Sequence, residues 1–270
     1  MATGRLRFYS MARAGQVDIS YVIPNDVPEI MVGDNKNYKR GMKTLYLLHG
    51  FSGNDCDWEY NGIAEDIAIA FNMAVIMIST GNNFYLDRKA TGCQYGTYAG
   101  EEVVNYTRKL FNLSDKKEDT IIAGLSMGGF GAMHTALAYP DTFGGAVSLS
   151  SALIIHELSN MKEGQSNEMA NYDYYREVFG DLSKVEESDA NPEVLYTKLK
   201  NEGRDIPPIY MAVGTEDFLY QNNVDMKEFF EKNNADFKYE EGPGIHDWKF
   251  WNQYIMRGIE WILDKIEKRS

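Results

Sequence analysis

The sequence predicts an α/β fold built on a mostly parallel sheet of about eight strands, and two observations carry that reading. Short apolar runs recur along the chain, most of them closely flanked by Gly, Asn or Ser, as strands buried on both faces do. Helix-length stretches lie between them, the alternation of a parallel sheet covered on both sides. One polar stretch, Leu153 to Arg204, interrupts that alternation for far longer than an ordinary connection.

Taken in order, Leu6–Tyr9 and Val17–Ile23 alternate polar and apolar residues in part, as a half-exposed antiparallel pair at a sheet edge would. The buried-strand candidates are Leu45–Leu48, Ala74–Ile78, Thr120–Ala123, Ala146–Leu149 and Ile209–Val213, with Phe237–Glu240 as a further strand-like run. Between them the helix candidates are Ile63–Phe71, Glu101–Phe111, Met127–Ala138 and Val224–Lys232. From Asp247 to Lys268, the spacing of Trp251, Ile255, Ile259, Ile262 and Ile266 predicts a last helix with one face docked on the sheet. The chain of 270 residues, 44% hydrophobic and 13% aromatic, is read as one domain over 1–270, with 153–204 as a cap inserted over the active site.

The formal charge of −13 repels polyanions, which argues against nucleic acid and anionic membrane surfaces as partners and favours a neutral substrate. No apolar run approaches the ~18 residues of a membrane-spanning helix, and the first ten residues lack a basic start followed by an apolar stretch. A cytoplasmic location is the expectation, with secretion as the alternative had a leader been removed; self-association into a homo-oligomer stays open. Cys56 and Cys93 stand apart without metal-ligand spacing, so thiols are expected rather than a disulfide or a metal site.

The strongest chemical signal is Gly124-Leu125-Ser126-Met127-Gly128-Gly129, directly after one strand candidate and directly before a helix candidate. A serine on such a tight strand-to-helix turn is a nucleophile elbow of the α/β-hydrolase kind, with glycines letting strand and helix approach. A serine hydroxyl needs a base to take its proton, and there are four histidines. His134 falls mid-helix and His156 opens the cap, so both are read as structural or solvated; His49 is read as bracing its loop. His246 lies in the Gly242-Pro243-Gly244-Ile245-His246-Asp247-Trp248 loop and completes the chain order serine, acid, histidine. The acid follows the strand Ile209–Val213, where Glu216 and Asp217 are adjacent. Asp217 is chosen because that role needs burial, whereas Glu216 can point to solvent; Asp236 and Asp247 are weaker alternatives. The backbone amides of Phe51, in Leu47-Leu48-His49-Gly50-Phe51-Ser52-Gly53, and of Met127 are the expected oxyanion donors.

These four motifs together resemble the esterase D group, which includes tributyrin esterases, S-formylglutathione hydrolases, feruloyl esterases and acetyl xylan esterases. The resemblance runs from Phe8 to Trp261 and is nearest the tributyrin-esterase-like proteins, on Asn82-Asn83-Phe84-Tyr85 and Tyr95-Gly96-Thr97-Tyr98. It implies a Ser126–His246–Asp217 hydrolase of small acyl esters, free or carbohydrate-linked, that uses no cofactor. Phe51-Ser52-Gly53-Asn54-Asp55-Cys56 departs from the cysteine-containing loop of S-formylglutathione hydrolases, which disfavours glutathione thioesters. Phe51, Trp58, Phe84, Tyr85, Phe218 and Trp248 form an aromatic set that would either sandwich a hydroxycinnamoyl ring, favouring feruloyl esters, or simply fill the core. Acyl transfer and a non-catalytic binding module are the remaining alternatives.

Overall fold

A computed structural model describes residues 1–88 and 90–269. Its eight strands form one sheet, β1 (Ala2–Ser10), β2 (Gly15–Ile23), β3 (Lys43–Leu48), β4 (Met73–Ile78), β5 (Thr120–Leu125), β6 (Gly145–Leu149), β7 (Ile209–Gly214) and β8 (Phe237–Gly242). They lie in the order β1-β2-β4-β3-β5-β6-β7-β8. From β4 onward every pairing is parallel; β1 and β2 join as an antiparallel pair at one edge, β2 lying antiparallel against β4. That pair is longer than its apolar pattern indicates, because the ladder continues through Arg5, whose guanidinium pairs with the buried Asp55 carboxylate.

Residues alternate sides along each strand, and β3 shows where the core sits. Leu45 and Leu47 face one apolar layer with Ile67, Ala68 and Phe71 of helix α1 (Ala64–Phe71). Tyr46 and Leu48 face the other, with Val103 and Val104 of α2 (Val103–Phe111) and Phe130 and Met133 of α3 (Met127–Ala138). A π-helical turn, Tyr98–Glu102, leads into α2, so the regular helix starts two residues later than its sequence pattern suggests.

The polar stretch 153–204 folds as a short helix, Ile155–Ser159, then α4 (Tyr172–Phe179), a 3-10 turn and α5 (Pro192–Asn201). Tyr175, Phe179, Tyr196 and Leu199 anchor it in the apolar layer that α3 shares, so much of it flanks α3. Asn171 and Asn191 cap α4 and α5 through their side-chain oxygens. Helix α6 (Tyr220–Lys232) follows β7. Helix α7 (Trp248–Arg269) follows β8 and buries Trp251, Ile255, Ile259, Ile262 and Ile266, the expected stripe, on the face shared with α1. Among the described residues no helix is long and apolar enough to cross a membrane, and both cysteines are free thiols.

Candidate active site

Ser126, Asp217 and His246 follow β5, β7 and β8 at the same, C-terminal edge of the sheet. Ser126 has φ 55° and ψ −120°, a backbone conformation that costs a non-glycine residue free energy and is retained where the surroundings fix it. Here the surroundings do fix it. Its amide donates to the Leu149 carbonyl at 2.8 Å, and its own carbonyl accepts from Phe130 and Ala152, each at 3.1 Å. The approach of strand to helix also requires glycine: a Cβ on Gly128 would stand 2.5 Å from the Leu48 carbonyl oxygen and 2.6 Å from that of His49, and one on Gly124 would collide with the Gly128 carbonyl.

Asp217 is buried and His246 is largely buried, with side-chain exposures of 0% and 18%. The imidazole Nδ1 lies 3.0 Å from Oδ1 and 2.9 Å from Oδ2 of the carboxylate, and the Leu219 amide donates to Oδ1 at 2.9 Å. A carboxylate only accepts, so this arrangement keeps the Nδ1 proton facing Asp217 and leaves the Nε2 lone pair free. The ring is clamped between Phe218, 4.5 Å away between centroids, and Trp251, edge-on at 4.9 Å. Trp251 in turn donates from Nε1 to Ser150 Oγ at 3.0 Å, tying the histidine to the end of β6, beside the Leu149 carbonyl that holds Ser126. No hydrogen bond joins Ser126 Oγ to His246 Nε2 among the described residues; the acid–histidine half is formed, and the serine–histidine half is one that commonly tightens only with substrate in place.

Glu216, read from sequence as a solvent-facing neighbour, is exposed but engaged: its Oε2 accepts from the Gly244 amide at 2.6 Å, and its own amide donates to the Gly244 carbonyl at 3.0 Å. That hydrogen bond, with one from Thr215, holds its carboxyl below the usual range. Glu216 thus clasps the loop that carries His246. A carboxylate next to the chosen acid was visible in the sequence, but its partner is a backbone amide 28 residues away, and no motif marks that.

The loop after β3 brings Gly50 against the elbow; a Cβ built there would lie 3.5 Å from Ser126 Cβ. The Phe51 amide has no hydrogen-bond partner among the described residues, and Met127 opens a helix, where amides have no intrahelical acceptor. His49 is wholly buried; its Nδ1–H donates to the Gly50 carbonyl at 2.7 Å and its Nε2 accepts from the Thr80 amide at 3.1 Å. Burial pushes the His49 pKa down, which preserves that neutral tautomer. His134 is buried as well and meets the Asp189 carbonyl through Nε2, whereas the half-exposed His156 bridges Glu186 and Glu193.

The aromatic set does not gather into one sandwich. Trp58, Phe84 and Tyr85 are buried. Trp58 donates from Nε1 to the Leu48 carbonyl and Tyr85 from its hydroxyl to the His49 carbonyl, while Phe84 packs on Phe130 and Phe179. Their pattern is one of support beneath the β3 loop, the core-filling alternative. Phe51 and Trp248 are partly buried, Trp248 meeting Trp58 and Trp251 edge-on, and Phe218 alone of the six is strongly exposed, at 67%. Among the described residues no group of three or more His, Cys, Asp or Glu is arranged to hold a metal ion.

A parallel sheet with an antiparallel edge pair and a strained serine at a strand-to-helix elbow is the architecture of the α/β-hydrolases. The model of the esterase family, described as "Putative esterase", matches residues 28–262, and the chain belongs to that family. It is 41% identical over 262 residues to an acetyl esterase of Caldicellulosiruptor saccharolyticus, covering 97% of this chain and 98% of the relative. Among solved structures it resembles the fluorophosphonate-binding serine hydrolase F of Staphylococcus aureus, at 31% identity and a TM-score of 0.82, with 97% of this chain and 98% of the other covered. An S-formylglutathione hydrolase of the same organism gives 30% identity and a TM-score of 0.80 over the same shares. The chain is a serine carboxylesterase, a carboxylic ester hydrolase.

Proposed function

We propose that Ser126, His246 and Asp217 form the catalytic triad and that the enzyme removes small acyl groups, acetyl foremost, from neutral alcohols. The observation that carries the assignment is the buried Asp217 carboxylate holding His246 Nδ1 at the same edge of the sheet as a strained Ser126. His246 Nε2 takes the Ser126 proton as Oγ attacks the ester carbonyl. The Phe51 and Met127 amides receive the oxyanion, helped by the positive end of the α3 dipole. Collapse breaks the bond to the alcohol oxygen, which leaves with the proton from His246. Water then repeats the sequence on the acyl-enzyme, giving the acid and free Ser126. Asp217 stays ionised throughout and stabilises the imidazolium.

Small acyl groups are favoured over hydroxycinnamoyl ones because Trp58, Phe84 and Tyr85 are committed to packing and to carbonyl hydrogen bonds, and because the acetyl esterase relative covers nearly the whole chain. The test is hydrolysis of p-nitrophenyl acetate, butyrate and octanoate, methyl ferulate, acetylated xylan and S-formylglutathione, each with Ser126→Ala as control. Turnover highest on acetate and lost in the variant is the expected result. A maximum on octanoate or methyl ferulate would refute the small-acyl assignment, a maximum on S-formylglutathione would refute the neutral-alcohol assignment, and residual wild-type activity in Ser126→Ala would refute the nucleophile.

A further inference from the structure

We propose that Asn82 is a positioning residue for the oxyanion hole and that helix α4, from the 153–204 segment, holds it in place; the inference rests on the proposed mechanism, in which Ser126 is the nucleophile and the Phe51 amide an oxyanion donor. The loop after β3 turns at Ser52, whose φ of 66° is left-handed for a residue with a Cβ. Such a turn persists only where neighbours fix it. The group that meets it is Asn82 Oδ1, which accepts from the Ser52 amide at 2.7 Å. This bond sets the peptide plane one residue beyond Phe51, and so the direction in which the Phe51 N–H is presented.

Asn82 is itself held from the other side. Its carbonyl accepts from the Tyr174 hydroxyl at 3.2 Å and from Arg88 Nη2 at 2.8 Å, and Arg88 pairs through Nη1 with Glu177 at 2.9 Å. Tyr174 and Glu177 both belong to α4. The Tyr174 ring also stands edge-on to Phe51 at 5.8 Å. Two consecutive left-handed residues, Phe84 (φ 54°) and Tyr85 (φ 57°), close the Asn82 loop, and Phe84 packs on Phe179, the last residue of α4. One helix of the insertion therefore grips both the loop that carries Phe51 and the residue that orients it. The insertion acts on the rate of the chemical step through the oxyanion donor, in addition to any contact with the acyl group.

The test compares Asn82→Ala, Asn82→Asp, Tyr174→Phe and the double variant Asn82→Ala/Tyr174→Phe. The readouts are kcat and KM on p-nitrophenyl acetate, inhibition by a methyl trifluoromethyl ketone as tetrahedral-intermediate analogue, and thermal melting. One lost oxyanion donor costs about 10²–10³ in kcat, and a displaced one a part of that. Asn82→Ala is expected to lower kcat roughly 30-fold at nearly constant KM, with the ketone weakened by a similar factor. Asn82→Asp, which keeps the acceptor, recovers most of the loss. Tyr174→Phe lowers kcat about 3-fold, and the double variant is no worse than Asn82→Ala, since Tyr174 acts through Asn82. Lowered melting temperatures with kcat and ketone inhibition unchanged would show Asn82 to be structural only and overturn the proposal, as would additive losses in the double variant. Ser126→Ala separates the two levels: activity lost there but kept in Asn82→Ala sinks the positioning role alone, whereas activity kept in Ser126→Ala sinks the reading beneath it.

Discussion

Replacing Asp217 by asparagine changes one atom and, by the hydrogen bonds around it, the tautomer of the histidine. Oδ1 of Asp217 already accepts from the Leu219 amide at 2.9 Å while both oxygens face His246 Nδ1. Asparagine has one acceptor and one NH2. If the NH2 faced the Leu219 amide, two donors would meet in a buried site, at a cost of about 1–3 kcal/mol. The carbonyl oxygen therefore stays with Leu219 and the NH2 turns to His246. Nδ1 must then accept, the proton moves to Nε2, and the nitrogen that should take the Ser126 proton carries one already. The corresponding change in a serine protease triad costs about 10⁴ in kcat, or ~5.5 kcal/mol of transition-state stabilisation. The same loss is expected here, with folding stability within about 1 kcal/mol because every buried donor is still paired. The assay is steady-state hydrolysis of p-nitrophenyl acetate alongside urea denaturation. A kcat within tenfold of wild type in a folded variant would refute the tautomer argument and with it the role of Asp217.

Three further outcomes are expected. Glu216→Gln keeps an acceptor for the Gly244 amide and leaves kcat nearly unchanged, whereas Glu216→Ala frees the His246 loop and lowers kcat about tenfold without moving the acyl preference, since orientation losses act on the rate; equal activity of the two variants would contradict this. Gly128→Ala places a Cβ 2.5 Å from the Leu48 carbonyl oxygen, about 0.9 Å inside ordinary contact at 3.4 Å, so the elbow must move off β3; a stability loss of roughly 1–3 kcal/mol is expected by denaturation, with activity largely lost. Burial lowers the pKa of both His49 and His134, so the unfolded chain binds protons that the folded one does not, and each contributes stability that is present above about pH 6.5 and declines below it, by up to ~1.4 kcal/mol per pH unit. Urea titrations between pH 5 and 7 should show that slope reduced in His134→Gln; an unchanged slope would contradict it.

Much of the sheet was legible because its strands are buried on both faces and so read as uninterrupted apolar runs, Leu45–Leu48 and Ile209–Val213 among them. The last helix was legible because Trp251 to Ile266 keep a strict spacing. Ser126 stood out because tight backbone approach needs glycines at fixed offsets, and those leave a local pattern. What could not be read has non-local causes. Whether an aromatic lines a pocket or fills a core depends on what packs on it, and Trp58, Phe84 and Tyr85 bond to or pack against residues from 10 to 95 positions away. The tasks of Glu216 and Asn82 are to accept from the backbone amides of Gly244 and Ser52, and amides carry no sequence signal. The 153–204 segment showed its length but not its docking, because its contacts with the β3 and β4 loops run through single side chains such as Tyr174 and Glu177.

The central claim is that Ser126 is the nucleophile activated by His246. Its most direct test is peptide mass spectrometry after treatment with a fluorophosphonate, applied to the wild type, Ser126→Ala and His246→Ala. The account predicts one phosphonyl group per chain on the peptide containing Ser126, none in Ser126→Ala, and labelling slowed by orders of magnitude in His246→Ala. A label on another residue, or equal labelling rates with and without His246, would contradict it.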